Sequence, residues 1–293
     1  MTSNSKPGPR LRHVQCATPA GLHRMAYREW GDPDNDRVLV CVHGLTRIGN
    51  DFDALAQAML PHYRVVCPDV AGRGRSDRLR DPMLYQIPTY VSDMITLLAR
   101  LDATTVHWFG TSMGGLIGMA LASLPGSTIA RMVLNDVGPV VSAAAVARIG
   151  DYLGRPVRFK SLDEADGYIR QISAPFGTHS DAEWRFLTEG VARADSDGYV
   201  LHYDPAISIP FKAAVAAAPT TDALLWHLYD AITCPVLAVR GQHSDLLSAA
   251  THAEMATRGP RAELATIADV GHAPTFLHAD QIAIAREFLL REN

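Results

Sequence analysis

Apolar and polar positions recur with two different periods along the chain, and the switches between them mark out its elements. Residues 13–30 read as a hairpin: VQCAT, a turn at Pro19–Gly21, then LHRMAYREW. The tract Gly31-Asp-Pro-Asp-Asn-Asp36 is dense in turn formers and reads as a loop. Val38–Val42 is a short continuous apolar run, the pattern of a strand buried on both faces. A helix is expected over Asp51–Leu60 and a strand over Tyr63–Cys67. Over Thr89–Leu101 the apolar residues Val91, Met94, Ile95, Leu98 and Leu101 fall on one helical stripe. Val106–Phe109 then reads as a strand, Gly114–Leu124 as a helix and Ile129–Leu134 as a strand.

The first half is therefore β-α-β-α-β-α-β, which predicts a mostly parallel sheet flanked by helices, an α/β fold. The pattern breaks at residues 138–221, where helical stretches occur without a clear buried strand. Two of them open with capping-box signatures, Ser161-Leu-Asp-Glu164 and Ser180-Asp-Ala-Glu183. This segment is expected to be an inserted helical cap. The α/β pattern resumes with a helix over Thr221–Asp230, strands over Pro235–Val239 and Ala262–Ile267, and a last helix over Asp280–Leu290. The expected core is thus 1–137 plus 222–293, with 1–12 as a loose tail and 138–221 as the cap.

Composition narrows the function. Of the 293 residues, 47% are hydrophobic and 20% charged, so the chain can fill a large core without a metal or disulfide staple. The net charge of -4 leaves no basic surplus for phosphates, which argues against nucleic acid as a partner. Cys41, Cys67 and Cys234 lie in or beside apolar runs, and with Cys16 they are expected to be free thiols; no CxxC pair points to zinc. No run approaches a membrane span, and the polar N-terminus lacks the apolar stretch of a secretory signal, so a cytoplasmic setting is expected.

Gly110-Thr-Ser112-Met-Gly114 matches G-x-S-x-G. Such a match arises by chance in about one chain in ten of this length, but this one joins a strand directly to a helix, the setting of a nucleophile elbow. The tight turn requires small residues two before and two after the serine, and the helix N-terminus favours developing negative charge. A serine nucleophile needs a base. Among 12 histidines, His272 sits in a loop just after the last predicted strand. The base needs an orienting carboxylate. Asp245, just past the strand PVLAV, is placed on the same sheet edge as Ser112 and is the preferred candidate. Asp136 is the rival, read as a strand-end capping residue; Asp269 reads as a turn residue and His243 as a solvated loop residue. Backbone N–H groups of Met113, after the nucleophile, and Leu45, after the strand VLVCV, are the expected oxyanion-hole donors. His43 is expected to brace that loop.

Taken together, the elbow, HGLTR at 43–47, Asp69-Val-Ala-Gly-Arg-Gly-Arg-Ser76, Arg240-Gly-Gln-His-Ser-Asp245 and Gly271-His-Ala-Pro274 make residues 24–293 resemble an α/β-hydrolase with a helical cap, of the esterase and C–C hydrolase group. The D-x-x-G-x-G-x-S turn at 69–76 is similar to that of the family, as is the chain order Ser112, Asp245, His272. A serine nucleophile departs from the dehalogenase and epoxide hydrolase relatives, which use Asp. LTRIG after His-Gly and Ala273 after the second Gly-His depart from the usual C–C hydrolase pattern, and a His-Gly-Gly-Pro-Gly loop is absent.

The resemblance implies a serine hydrolase of carboxylic esters, short to medium acyl esters or lactones, acting through an acyl-enzyme on Ser112 without metal or organic cofactor. The same triad also fits cleavage of dienoate C–C bonds, acyl transfer or perhydrolysis; a ligand-binding receptor is the non-enzymatic alternative. Phe176, Trp184, Phe186 and Phe211 are apolar cap residues that wall a pocket or fill the cap's own core. A small-molecule ester is the implied partner, and a homodimer through cap or edge elements is compatible with the sequence.

Overall fold

A computed structural model describes residues 8–218 and 220–292. Strands β1 (Arg10–Thr18) and β2 (Gly21–Trp30) form an antiparallel hairpin with Thr18 opposite Gly21. Strand β1 thus begins within the expected tail, whose residues 1–7 lie outside the described residues. Arg10 and Arg12 are held in the hairpin by Glu29, whose Oε2 accepts from both guanidinium Nε atoms at 3.4 and 3.2 Å. Such cross-strand ion pairs extend the strand beyond the reach of its hydrophobic alternation.

The core continues through β3 (Arg37–Val42), α1 (Asp53–Met59), β4 (Arg64–Pro68), α2 (Ile87–Leu101), β5 (Thr105–Thr111), α3 (Met113–Ala122) and β6 (Ile129–Asn135). Val38, Val40 and Val42 face one side of the sheet with Leu97 and Ile117, while Leu39 and Cys41 face the other with Leu55 and Phe288. Burial on both faces accounts for the unbroken apolar run, each large side chain contributing about 1.5–3 kcal/mol.

After β6 the chain leaves the sheet at β7 (Val140–Val141) and runs through α4 (Ala143–Tyr152), β8 (Arg158–Phe159), α5 (Leu162–Ile172), α6 (Asp181–Val191), β9 (Ala192–Asp195), β10 (Gly198–Leu201) and α7 (Ser208–Ala217). It returns at β11 (Ala223–Leu224), which pairs antiparallel with β7 and ties the neck of the excursion. Two expectations fail here. The segment is not purely helical, because β8, β10 and β9 form a small antiparallel sheet. These strands are short and carry little buried apolar surface, so they leave no period-2 signal. The helix expected over 221–230 is shortened, with β11 in its first half and α8 restricted to Trp226–Asp230. Of the two capping boxes, Ser180 and Glu183 form the reciprocal pair. At Ser161 the hydroxyl accepts from Glu164 N–H, but the Glu164 carboxylate accepts from Lys160 instead.

The sheet is completed by β12 (Val236–Gly241) and β13 (Glu263–Ile267), separated by α9 (Ala249–Met255) and followed by α10 (Ala279–Leu290). Its order is β1-β2-β4-β3-β5-β6-β12-β13, antiparallel at β1-β2-β4 and parallel from β4 onward. The carboxyl ends of the parallel strands therefore share one edge, where binding sites form in open α/β sheets. All four cysteines are free. No helix among the described residues is long and apolar enough to cross a membrane.

Candidate active site

Strand β5 delivers Ser112 to that edge. The serine is the N-cap of α3, with φ 51° and ψ -115°, a left-handed conformation costly for an L residue. The turn survives because Gly110 and Gly114, two residues before and after, lack side chains. A Cβ on Gly110 would lie 2.4 Å from the Gly114 carbonyl oxygen, and one on Gly114 would lie 2.0 Å from that of Val42. Ser112 N–H donates to Asn135 O at 3.0 Å, fixing the elbow to the neighbouring strand.

The loop after β13 brings His272 to the serine. Its Nε2 is 2.9 Å from Ser112 Oγ, and its Nδ1 is 2.7 Å from Asp136 Oδ2. The carboxylate can only accept, so Nδ1 carries a proton and Nε2 is free to accept the serine's. The partner is Asp136, not Asp245. Asp136 follows β6, is fully buried, and has φ 55°, which turns its side chain back across the strand end. It also takes Gly241 N–H on Oδ1 at 2.8 Å and Ser244 O–H on Oδ2 at 2.7 Å. The loop after β12, expected to supply the acid, thus supplies two donors to it. Asp245 points away and is exposed, pairing with Arg148 of α4 at 2.8 Å and 3.1 Å. The correction has a simple origin. Strands β6 and β12 are parallel neighbours in register, Val239 opposite Asn135, so a carboxylate just past either could approach the same histidine.

Beside the serine, Met113 N–H begins α3 and Leu45 N–H lies in the loop after β3. Neither donates to a protein acceptor among the described residues. His43 is buried and locked: Nδ1 donates to Gly44 O at 2.7 Å and Nε2 accepts from Val70 N–H at 3.0 Å. Burial pushes its imidazole down to about 3, so it braces the loop as a neutral ring. His243 is exposed, 4.0 Å from Asp269.

Sequence reasoning missed two residues that shape this centre. Arg73, in the Asp69–Ser76 turn, has no exposure to solvent. Its Nε donates to Leu45 O at 2.9 Å, and Nη1 donates to Ala71 O and Tyr90 Oη, each at 2.8 Å. Nη2 lies 3.5 Å from Met113 Sδ, so one planar guanidinium touches both residues whose N–H groups flank Ser112. An arginine between glycines reads as a surface residue; here the Tyr85 and Tyr90 rings lie against its guanidinium and help to bury it. Asn135 is the second, its Nδ2 donating to Thr111 Oγ1 at 3.0 Å and to Pro274 O at 2.8 Å. It joins the nucleophile's strand to the base's loop.

Two clefts meet at Ser112. One, with a volume of about 80 Å³, contains Ser112, His272 and Leu45 with Arg47, Arg148 and Phe176. The other, about 550 Å³, is apolar and passes Leu116, Val146, Ile207 and Phe211. Helix α4 stands between them, since Ile149 lines both. Trp184 is buried among inserted helices, whereas Phe176 and Phe211 each face a cleft.

Residues 37–279 match the family described as alpha/beta hydrolase fold. A 3-hydroxybutyrate-oligomer hydrolase from Cupriavidus necator is 56% identical over 96% of this chain and 97% of its own. A pimeloyl-[acyl-carrier protein] methyl ester esterase from Xanthomonas oryzae is 28% identical over 84% of this chain and 92% of its own. Among solved structures, an alpha/beta hydrolase from Novosphingobium aromaticivorans superposes with a TM-score of 0.86 at 36% identity, covering 97% of this chain and 99% of that one.

Proposed function

Given that the chain belongs to the α/β-hydrolase family and is a carboxylic ester hydrolase, we propose that it hydrolyses short oligomeric 3-hydroxyacid esters through an acyl-enzyme on Ser112. The observation that carries the mechanism is the unbroken line from Asp136 through His272 to Ser112, at 2.7 and 2.9 Å. His272 Nε2 takes the serine proton as Oγ attacks the ester carbonyl, and Asp136 stabilises the resulting imidazolium. The N–H groups of Met113 and Leu45 receive the oxyanion. The imidazolium then protonates the leaving alkoxide, and water, deprotonated by the same ring, attacks the acyl carbon and restores Ser112. The inserted segment, residues 138–221, acts as the cap that sets specificity, since α4 lines both clefts and α7 the larger one.

The substrate class rests on the 56% identical relative and on the clefts' shape, an apolar arm for the methyl-bearing acyl chain and a polar arm for the departing hydroxyacid. Four free thiols suit a reducing, cytoplasmic setting.

The test is release of 3-hydroxybutyrate from its linear dimer and trimer, beside hydrolysis of p-nitrophenyl butyrate, in wild type and Ser112→Ala. Turnover of both ester types is expected, falling by about three orders of magnitude or more in the variant. A variant that retains turnover removes the acyl-enzyme. A wild type that hydrolyses p-nitrophenyl butyrate but not the dimer removes the substrate class and leaves the mechanism.

A further inference from the structure

Among the described residues, the smaller cleft is lined by two guanidinium groups, Arg47 and Arg148, and by no aspartate or glutamate. The two arginines differ in exposure. Each gives Nε and Nη2 to one carboxylate, Arg47 to Asp51 at 2.7 and 2.6 Å and Arg148 to Asp245 at 2.8 and 3.1 Å. Arg47 Nη2 also donates to Leu187 O at 3.2 Å and its side chain is only 10% exposed, whereas that of Arg148 is 41% exposed. Neither Nη1 has a protein acceptor among the described residues, so the free edge open to a ligand is that of Arg148. Asp245 does not line the cleft, whereas Arg148 does. The carboxylate therefore grips the guanidinium from outside and fixes its plane, leaving the Nη edge for a ligand inside. A guanidinium fork matches a carboxylate in shape as well as charge.

We propose that Arg148 is a carboxylate-binding subsite, which takes the free acid end of the departing hydroxyacid while Ser112 attacks the neighbouring ester carbonyl. This rests on the ester-hydrolase reading above and adds to it a direction. Cleavage proceeds from the carboxyl end of an oligomer, because an anion seated at Arg148 places the last ester bond at the nucleophile. Atoms balance as in any ester hydrolysis: the acyl–oxygen bond breaks, the alkoxide of the terminal unit leaves with a proton from His272, and water supplies the oxygen of the new acid.

The experiment compares the linear 3-hydroxybutyrate dimer with its methyl ester, in wild type, Arg148→Gln and Arg148→Lys. Wild type is expected to favour the free acid. In Arg148→Gln the ratio of kcat/KM for acid over methyl ester should fall about 10- to 150-fold, the range for losing a charge-assisted hydrogen bond, mainly through KM. Arg148→Lys keeps the charge without the fork and should recover part of the ratio. A ratio unmoved in Arg148→Gln overturns the subsite. An independent readout uses p-nitrophenyl butyrate as substrate and 3-hydroxybutyrate as competitive inhibitor. Inhibition in wild type with Ki raised tenfold or more in Arg148→Gln supports the subsite even if the dimer is not turned over. No inhibition of wild type, or equal inhibition of both, overturns it.

Discussion

Exchanging the carboxylate of either Asp136 or Asp245 for an amide separates the acid seen in the structure from the one suggested by chain order. Three donors converge on Asp136: His272 Nδ1 and Ser244 Oγ on one oxygen, Gly241 N on the other. An asparagine has one acceptor oxygen, so its NH2 must confront a donor. If it faces Gly241, two buried N–H groups oppose each other and stability falls by about 1–3 kcal/mol. The imidazolium then also loses an adjacent charge, worth about 4 kcal/mol at 4 Å for an effective dielectric of 20. If the NH2 faces His272, the ring must place its proton on Nε2, and the base is blocked toward Ser112. Both orientations predict a kcat lower by about 10³ to 10⁴, as in other serine triads. Asp245→Asn breaks a half-exposed ion pair worth about 0.2–1 kcal/mol and should lower kcat by less than about threefold on a neutral ester. The assay is kcat and KM on p-nitrophenyl butyrate, with thermal melting to establish that each variant is folded. The assignment is refuted if folded Asp136→Asn retains a tenth of wild-type kcat, or if Asp245→Asn loses a hundredfold.

Arg73→Lys should lower kcat about tenfold or more with a smaller change in KM, because an ammonium cannot span Leu45 O, Ala71 O and Tyr90 Oη at once; steady-state kinetics on a neutral ester measures the split. Stability should fall as pH drops from 7.5 to 5. Burial holds His43 and His202 down to about 3 and His107 to about 4, so the folded protein keeps these rings neutral while the unfolded chain protonates near 6.5. The unfolded state then binds more protons, favouring it by about 2 kcal/mol per ring at pH 5. Asp53, pushed up to about 6, and Asp69 oppose this, but three rings outweigh them, so the urea midpoint should be lower at pH 5; an unchanged midpoint would contradict the burial argument.

What the sequence made legible was set by local physics. The nucleophile could be read because a strand, a tight turn and a helix follow one another within a few residues, and because Gly110 and Gly114 answer clashes that arise inside that turn. The core strands could be read because burial on two faces leaves an unbroken apolar run. The acid could not, because the choice is between two aspartates 109 residues apart in number that follow strands adjacent in the sheet. Nor could the sheet in the insertion, whose pairing of Tyr199 with Phe159 and Ala194 is carried by backbone bonds between short strands. Arg73 was hidden for a related reason, since rings 12 and 17 residues further on help to bury it.

The position of the acid and the chemistry of the cleft are connected. A carboxylate that stabilises His272 must be buried beside it, with donors on both of its oxygens. Asp136 meets that demand with Gly241 and Ser244. One carboxylate cannot also reach the cap, so the loop after β12 retains an aspartate with no role toward the histidine. Asp245 is that residue, and it spans from the core to α4 by holding Arg148. The pair is too exposed to contribute much to stability, but it costs the guanidinium rotational freedom. A pre-oriented guanidinium loses less entropy when an anion arrives, so affinity for a carboxylate rises without a new contact. The same aspartate that chain order suggested for catalysis thus has its physical use in fixing the arginine that would select the substrate.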